Sequence, residues 1–562
     1  MYQYFAYAAL ILTSVIAVIG VYSLYKKRVS DQKGILSSLN HIVEGFLEWA
    51  EKYWYIPLAL IFIAFLASRL LRLGLIPGGF QADEMGSAYD AQNLLNYHVD
   101  RYLTHFPVYL RNYGDGQNAL YAYLSACMFS VTGFSVKAFR LVAVICAIPC
   151  FFCSWLIAKD LFHSKAKALL APILVTILPV FMMSERWGGE CYLFLSFMTI
   201  SFWFFCKAIK SNQFRFYFLT GLFFGITLYS YAISYFVIPL FLFFSILYLV
   251  RIKKFSLKNI LVMGVPLAVL ATPLILFQLV NLEVLPEFSF LFTEFKRLPG
   301  YRSGDVSFIH IAENWSIIRE LLFGDNLRYN AFPEYGTLYI FSIPLLIYGC
   351  IICIRKTIDS FRKREFDIHV LIMMLLLVAY FVATIILDPN INKANEIFLP
   401  LMLIVAIALE HILSERKTAA VMILLCYAIA FLSFSNFYFR HYNDPQYEYL
   451  NFEDTEFGNA IAYLNDHYEV DGRPVYCATQ FKLWGEMMLL TYGGVSPYDW
   501  QHHELQQGNY YMDLPADLTL EEDCVYIIDN YWRHVSDYLG ANGYYLDDTF
   551  PNYAILYREP LQ

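Results

Sequence analysis

The chain has 562 residues, of which 58% are hydrophobic, 18% aromatic and only 16% charged, with a mean hydropathy of +0.47 and a net charge of −8. Soluble domains carry about a quarter charged residues, so the composition excludes an ordinary soluble protein and indicates an integral membrane protein. The small net charge carries no signal for nucleic acid, and the placement of Lys and Arg along the chain becomes the informative quantity.

The chain opens on MYQYFAYAALILTSVIAVIGVYSLYKKR, whose basic residues follow the apolar run instead of preceding it. That order is wrong for a secretory signal peptide, and the segment reads as a retained span. A helix needs about 20 mainly apolar residues to cross the hydrocarbon core. Stretches meeting or approaching that length lie at approximately 2–25, 54–76, 139–158, 168–184, 191–209, 216–231, 235–250, 259–280, 336–354, 368–387, 396–413 and 419–438, about 12 transmembrane helices. Residues 1–53 then form an extra N-terminal transmembrane helix and a cytoplasmic linker.

The loops after alternate spans are basic: KKRVSDQK, KDLFHSKAK, KAIKSNQFR, RIKKFSLK, IRKTIDSFRKR and SERK. The intervening loops, among them GGFQADEMGSAYD, SERWGGE, YSYAISY and DPNINKANE, are acidic, aromatic or mixed. Under the positive-inside rule the basic set is cytoplasmic. A multi-pass plasma-membrane protein follows, with the N-terminus and the C-terminal region extracytoplasmic.

Two outer loops are long, 77–138 and 281–335. Within the first, NALYAYLSACMFSVTG is too short to span and reads as an interfacial helix. From residue 439 onward charges appear and apolar runs shorten, which predicts a small extracytoplasmic α/β domain over 439–562. There TEFGNAIAYLNDHY and FKLWGEMMLLTYGG have helical spacing, RPVYCATQ and DCVYIIDNYW read as strands, and the last segment reads as a helix followed by a hairpin. Most of the 11 cysteines sit in apolar runs as small hydrophobes. Cys477 and Cys524, each in a predicted strand, are compatible with a disulfide or with two buried thiols.

Asp83 and Glu84 follow IPGG at the outer mouth of a span, flanked by the small residues Ala82, Gly86, Ser87 and Ala88. A carboxylate at a membrane edge facing a cavity is a functional candidate; the alternative is a solvated loop acid. Glu185, Arg186 and Glu190 form a second polar group, either sharing a cavity with Asp83 or pairing as helix-end anchors. Cations on the outer face, Arg101, Arg111, Lys296, Arg297, Arg302 and Lys393, run against the inside bias and suit an anionic partner. Tyr229, Tyr231 and Tyr235 read as an interfacial aromatic belt, and Asn314-Trp315-Ser316 matches the glycosylation acceptor pattern. The sequence contains no phosphate-binding glycine loop, HExxH or serine nucleophile elbow.

The ordered set of the Asp-Glu loop, ALYAYLSACMFSVTGFSVKAFRL, SERWGGE, GITLYSYAISYFVIPL, RYNAFPEYGTLY and NINKANEIFLP resembles the polytopic membrane glycosyltransferases of the glycosyltransferase-C superfamily. The likeness is to bacterial relatives of protein O-mannosyltransferases and of the lipid A aminoarabinose transferase, and it covers roughly residues 54–438. It implies an inverting glycosyltransferase that moves a hexosyl or pentosyl unit from a polyprenyl-phosphate sugar donor to a glycan, lipid or protein acceptor. Asp83 then serves as base with Glu84 as orienter or alternate base, and Arg111, Arg302 and Lys393 meet the donor phosphate. Lys393 stands where members commonly carry Arg, which keeps the charge without the bidentate fork. No metal is demanded, although the acidic pair suits a divalent ion. The alternative function is a transporter or flippase of lipid-linked saccharides, which would place its ionisable groups near mid-membrane.

Overall fold

The computed structural model describes residues 2–25, 35–112, 115–301, 305–324, 330–444, 456–467, 472–480, 482–500, 506–507, 509–515, 517–518 and 523–558. The first part is α1 (Tyr2–Tyr25), α2 (Ile35–Lys52), α3 (Tyr55–Leu70) and α4 (Ala82–Tyr97), then the hairpin β1 (Tyr109–Asn112) and β2 (Asp115–Asn118), and α5 (Leu120–Thr132). There follow α6 (Val136–Phe162), α7 (Lys165–Ala168), α8 (Leu170–Ile177), α9 (Pro179–Ser184), α10 (Glu190–Ser211), α11 (Phe214–Leu228), α12 (Ser234–Arg251) and α13 (Leu257–Asn281). After the hairpin β3 (Phe288–Phe290) and β4 (Thr293–Phe295) come the short helices α14 (Ile311–Asn314) and α15 (Ile318–Phe323). The helical part closes with α16 (Ile343–Lys363), α17 (Ile368–Ile385), α18 (Phe398–Glu415) and α19 (Lys417–His441).

Among the described residues nine helices are long and apolar enough to cross a bilayer, or ten if α2 and α3, which meet at 90°, are one bent span. Each of the twelve expected stretches is helical, but three are not long continuous helices. The stretch 54–76 yields only the 16 residues of α3. The stretch 168–184 is divided, because Leu178 is extended (ψ 133°) ahead of Pro179, the conformation a following proline imposes. The stretch 216–231 yields the 15 residues of α11, about 22 Å at 1.5 Å per residue and short of a typical ~30 Å core. The linker after α1 contains the amphipathic α2, which leaves Ile42, Phe46 and Trp49 exposed.

Without a strong hydrophobic drive in lipid, helices associate by close packing, and small residues permit it. A Cβ at Gly221 of α11 would lie 1.9 Å from the Met263 carbonyl of α13, and one at Gly349 of α16 would lie 2.3 Å from the Ile404 carbonyl of α18. α18 is the centre of the bundle, with Leu399, Met402, Leu403, Ile404, Val405 and Ala406 all buried.

The C-terminal part contains α20 (Glu456–His467), β5 (Val475–Ala478), α21 (Lys482–Tyr492), β6 (Gln506–Gln507), β7 (Tyr510–Tyr511), β8 (Val525–Asp529), α22 (Arg533–Ala541), β9 (Tyr545–Asp547) and β10 (Tyr553–Tyr557). The strands form one sheet ordered β6-β7-β5-β8-β10-β9, with β5 parallel to β7 and β8 and the other pairs antiparallel. Cys477 and Cys524 are both buried and free. This part shares a hydrophobic cluster with α4, α5 and α6. The Tyr89 hydroxyl donates to the Val495 carbonyl at 2.9 Å, and Gln92 Nε2 to the Thr491 carbonyl at 3.2 Å. The sheet region is therefore docked against the helix that carries the acidic pair.

Candidate active site

The loop expected at GGFQADEMGSAYD is the start of α4, with Asp83 and Glu84 in its first turn. There the partial positive charge of the helix N-terminus favours ionised carboxylates. Adjacent helical residues point about 100° apart, and this separates the two acids. Glu84 turns inward and is buried, whereas Asp83 stays exposed.

Glu84 is fully engaged. Its Oε1 accepts from Arg140 Nε at 2.9 Å and from the Gly188 amide at 2.7 Å; its Oε2 accepts from Arg140 Nη2 at 2.7 Å and from the Gln81 amide at 3.2 Å. Arg140, from α6, also donates to the carbonyls of Pro77 and Gly79. A carboxylate holding four donors has no lone pair directed at an acceptor hydroxyl. The geometry therefore makes Glu84 the anchor of α4, in place of the alternate base expected from sequence.

Asp83 is positioned by a chain of bonds. Asn112 Nδ2, on β1, donates to Asp83 Oδ1 at 2.7 Å, and Asn112 Oδ1 accepts from Arg101 Nη2 at 3.1 Å. Because Arg101 can only donate, it fixes which end of the amide faces Asp83. Arg101 is itself buried and clamped by Asp90 of α4, with Nη2 to Oδ2 at 2.8 Å and Nε to both carboxylate oxygens at 3.1 Å. The absence of a side chain at Gly86 admits this pair, since a Cβ there would be 2.4 Å from Arg101 Nη2. Arg101, expected to face an anionic partner, is instead a buried structural cation. Asp100, beside this pair, is pushed up to about 7 by burial, with the Asp90 charge adding to the shift.

The SERWGGE group splits in the same way. Arg186 uses all five guanidinium hydrogens, donating to the carbonyls of Ser68, Arg69, Leu71 and Ile76 and to the Tyr438 hydroxyl. It pins the end of α3 and has no donor left for a ligand. Glu185 Oε2 accepts from Arg69 Nε at 2.8 Å, so the pair anchors helix ends as the alternative reading held. Glu190, the first residue of α10, differs: it accepts from the Asn118 amide and is electrostatically coupled to Asp83. Of that group only Glu190 joins the Asp83 region.

The expected aromatic belt faces inward. Tyr235 accepts from Asn118 Nδ2 at 3.0 Å, Tyr229 donates to the Leu270 carbonyl at 2.8 Å, and Tyr231 lies within electrostatic reach of Cys191, Glu190, Glu396 and Asp83. Asn314 donates to the carbonyls of Thr384 and Ile386, which engages the amide nitrogen of the glycosylation pattern.

Among the outer cations, Arg111 stacks on the Tyr102 ring at 4.0 Å, and its Nε has no hydrogen-bond partner among the described residues. Lys393 Nζ donates to the Leu387 carbonyl at 2.9 Å. Its loop is docked on the segment after Gly304 by the bridge Val306–Ile386. Arg302 lies outside the described residues. Lys296 pairs with Glu294 at 2.8 Å and Arg297 with Glu283 at 3.7 Å, both near the β3-β4 hairpin. No group of three or more His, Cys, Asp or Glu side chains among the described residues is arranged to hold a metal ion.

Sequence reasoning missed Asn112, Asp90 and Arg140, which position the acids. It also missed Asn118, Asn395 and Glu396, which gather at the first turn of α10. Glu396 and Asn395 stand in NINKANEIFLP, a segment in which only Lys393 was singled out.

The chain is similar in structure to ArnT from Cupriavidus metallidurans bound to undecaprenyl phosphate, with a TM-score of 0.51 at 12% identity, covering 90% of this chain and 98% of that one. The two share a fold. The same protein in its apo state matches equally, at 12% identity and a TM-score of 0.51, over 91% of this chain and 98% of that one. Residues 118–277, from β2 to α13, match the family model described as dolichyl-phosphate-mannose-protein mannosyltransferase. No curated protein matches the chain in sequence. The fold thus includes a multi-pass helical membrane part and a small C-terminal sheet region, as expected from sequence.

Proposed function

We propose that the protein is an inverting membrane glycosyltransferase, transferring a sugar from a polyprenyl-phosphate donor to an acceptor hydroxyl on the extracytoplasmic face. The single observation that carries this reading is Asp83: an exposed carboxylate, oriented by Asn112, beside buried acids and tyrosines on a glycosyltransferase-C fold. A base must be reachable by the proton it takes, and of the adjacent acids Asp83 is exposed while Glu84 is buried and holds four donors.

In the proposed reaction the acceptor oxygen attacks the anomeric carbon as its proton passes to Asp83. The new C–O bond forms on the face opposite the breaking bond to phosphate, and the polyprenyl phosphate leaves with the bonding pair. Arg111, Lys393 and Arg302 meet the charge that develops on the phosphate. The step as written needs no metal. The positive-inside pattern of the loops supports placing this chemistry, both termini and the C-terminal region outside the cytoplasm.

The test is transfer by purified protein from polyprenyl phosphates bearing mannose, glucose or 4-amino-4-deoxyarabinose, with and without chelator. Wild type is expected to use at least one donor in chelator, and Asp83→Asn to lose transfer while keeping its unfolding temperature. Failure with every donor would favour the transporter reading, and full activity in Asp83→Asn would remove Asp83 as the base.

A further inference from the structure

Around the first turn of α10, beside Asp83, polar atoms are left over, and they are of one kind. Glu396 is fully buried, and both of its carboxylate oxygens lack a hydrogen-bond partner among the described residues. Asn395 Oδ1 and Asn118 Oδ1 are likewise buried and unpartnered. The orientation of both amides is determined by their other ends, since Asn118 Nδ2 donates to the Leu228 carbonyl at 2.9 Å and Asn395 Nδ2 donates to the Cys191 carbonyl. Flipping either amide would set oxygen against oxygen, so the unpartnered atoms are acceptors. The three residues share one place. Asn118 bonds Glu190, Asn395 bonds Cys191, and Tyr231 is within electrostatic reach of Glu190, Cys191, Glu396 and Asp83 together.

A buried acceptor without a donor is costly, and native proteins leave few of them. A set of such acceptors beside the proposed base calls for a ligand rich in donors, and a carboxyl group with two open oxygens matches neighbouring hydroxyls. Glu396 lies three residues from Lys393, which the proposed function assigns to the donor phosphate. The group nearest to a bound phosphate is the sugar it carries.

We propose that Glu396, with Asn395 and Asn118, forms the subsite that recognises hydroxyl groups of the donor sugar, Glu396 accepting from two of them. This rests on the glycosyltransferase reading for its choice of ligand. Glu396 acts as a specificity-determining residue and takes no part in proton transfer.

The experiment uses the full chain in detergent. With whichever polyprenyl-phosphate sugar wild type turns over, Glu396→Gln is expected to raise the donor KM about 10-fold, the usual effect of weakening a hydrogen bond or two. Its kcat should change much less, the signature of lost ground-state binding. Donors lacking one of the recognised hydroxyls should show a similar loss with wild type and little further loss with the variant. Thermal unfolding reports folding, and the deoxy-donor series on wild type needs no variant. An unchanged KM in folded Glu396→Gln, or wild-type indifference to every singly deoxygenated donor, would overturn the proposal. If wild type turns over no donor, the glycosyltransferase reading fails instead. Saturation-transfer NMR with free mannose, glucose and arabinose then decides the subsite alone: a signal lost in Glu396→Gln supports it, and equal or absent signals overturn it.

Discussion

The buried arginines and the buried acceptors beside α10 are governed by opposite rules. Arg186 spends all five of its donors, and Arg69, Arg101 and Arg140 are each bound to a carboxylate and to further protein atoms. By contrast, Glu396, Asn395 and Asn118 keep acceptors that no protein group meets among the described residues. Buried ions are tolerated when paired and hydrogen-bonded, so the first region reads as framework. An incompletely satisfied polar surface is expensive to fold, so the second reads as a surface prepared for something absent. The contrast divides acids that look equivalent in sequence: Glu84 belongs with the framework and Asp83, Glu190 and Glu396 with the site, while Glu185 is bound to Arg69 through Oε2 and keeps an unpartnered Oε1 among the described residues.

The sharpest way to break this division is to exchange the two adjacent acids. Asp83→Asn is expected to lower transfer by about 10²- to 10⁴-fold, the range for a general base, with the unfolding temperature unchanged. Glu84→Gln should do the reverse in kind. It leaves Arg140 buried without its carboxylate, a loss of about 3–5 kcal/mol of stability, measured as a lowered thermal unfolding midpoint in detergent. If both variants lose activity and neither loses stability, the division between framework and site is wrong at this helix. A smaller effect is expected at Arg111, whose Nε faces no protein partner among the described residues. Arg111→Ala should raise the donor KM about 10- to 100-fold through loss of a charged hydrogen bond, whereas Lys296→Ala, at an exposed pair, should leave it unaltered.

Much of this was readable before the structure. Asp83 stands out in sequence because an acid at a span mouth is rare, and the short α5 is legible because its apolar run is too brief to cross. The separate fates of Asp83 and Glu84 were not legible while the segment was read as a loop, since only a helix turns neighbours about 100° apart. Arg101 and Arg186 cannot be sorted between site and framework from sequence, for a different reason. Their partners are Asp90, Asn112, Tyr438 and carbonyls distant in sequence, and a linear pattern of charges does not show which cations are already spent. Glu396 escaped notice because it is embedded in an apolar segment that reads as the start of a span. Its significance lies in what it lacks, and a missing partner is visible only in three dimensions. Three of the twelve expected spans are not single long helices, one of them divided before Pro179 and two of them short.

The smallest effect tests how tightly the framework side of the division holds the site. Asp100 is buried next to Asp90 and Arg101, and it accepts the amides of Tyr102 and Thr104 at 2.9 and 2.8 Å. Burial first, and the Asp90 charge second, raise it to about 7, while its own hydrogen bonds and Arg101 pull the other way. An unfolded aspartate titrates near ~4, so between about 4 and 7 the folded chain binds more protons at this position than the unfolded one. Stability contributed by Asp100 must then fall as pH rises through that window and level off above it. Asp100→Asn keeps the amide acceptor but cannot ionise. Its unfolding midpoint should gain on wild type from pH 5 to pH 8, and parallel midpoint curves for the two proteins would show that Asp100 is charged throughout. In that case the Asp90–Arg101 clamp, and with it the hold on Asn112 and Asp83, would already contain enough positive charge to keep both acids ionised.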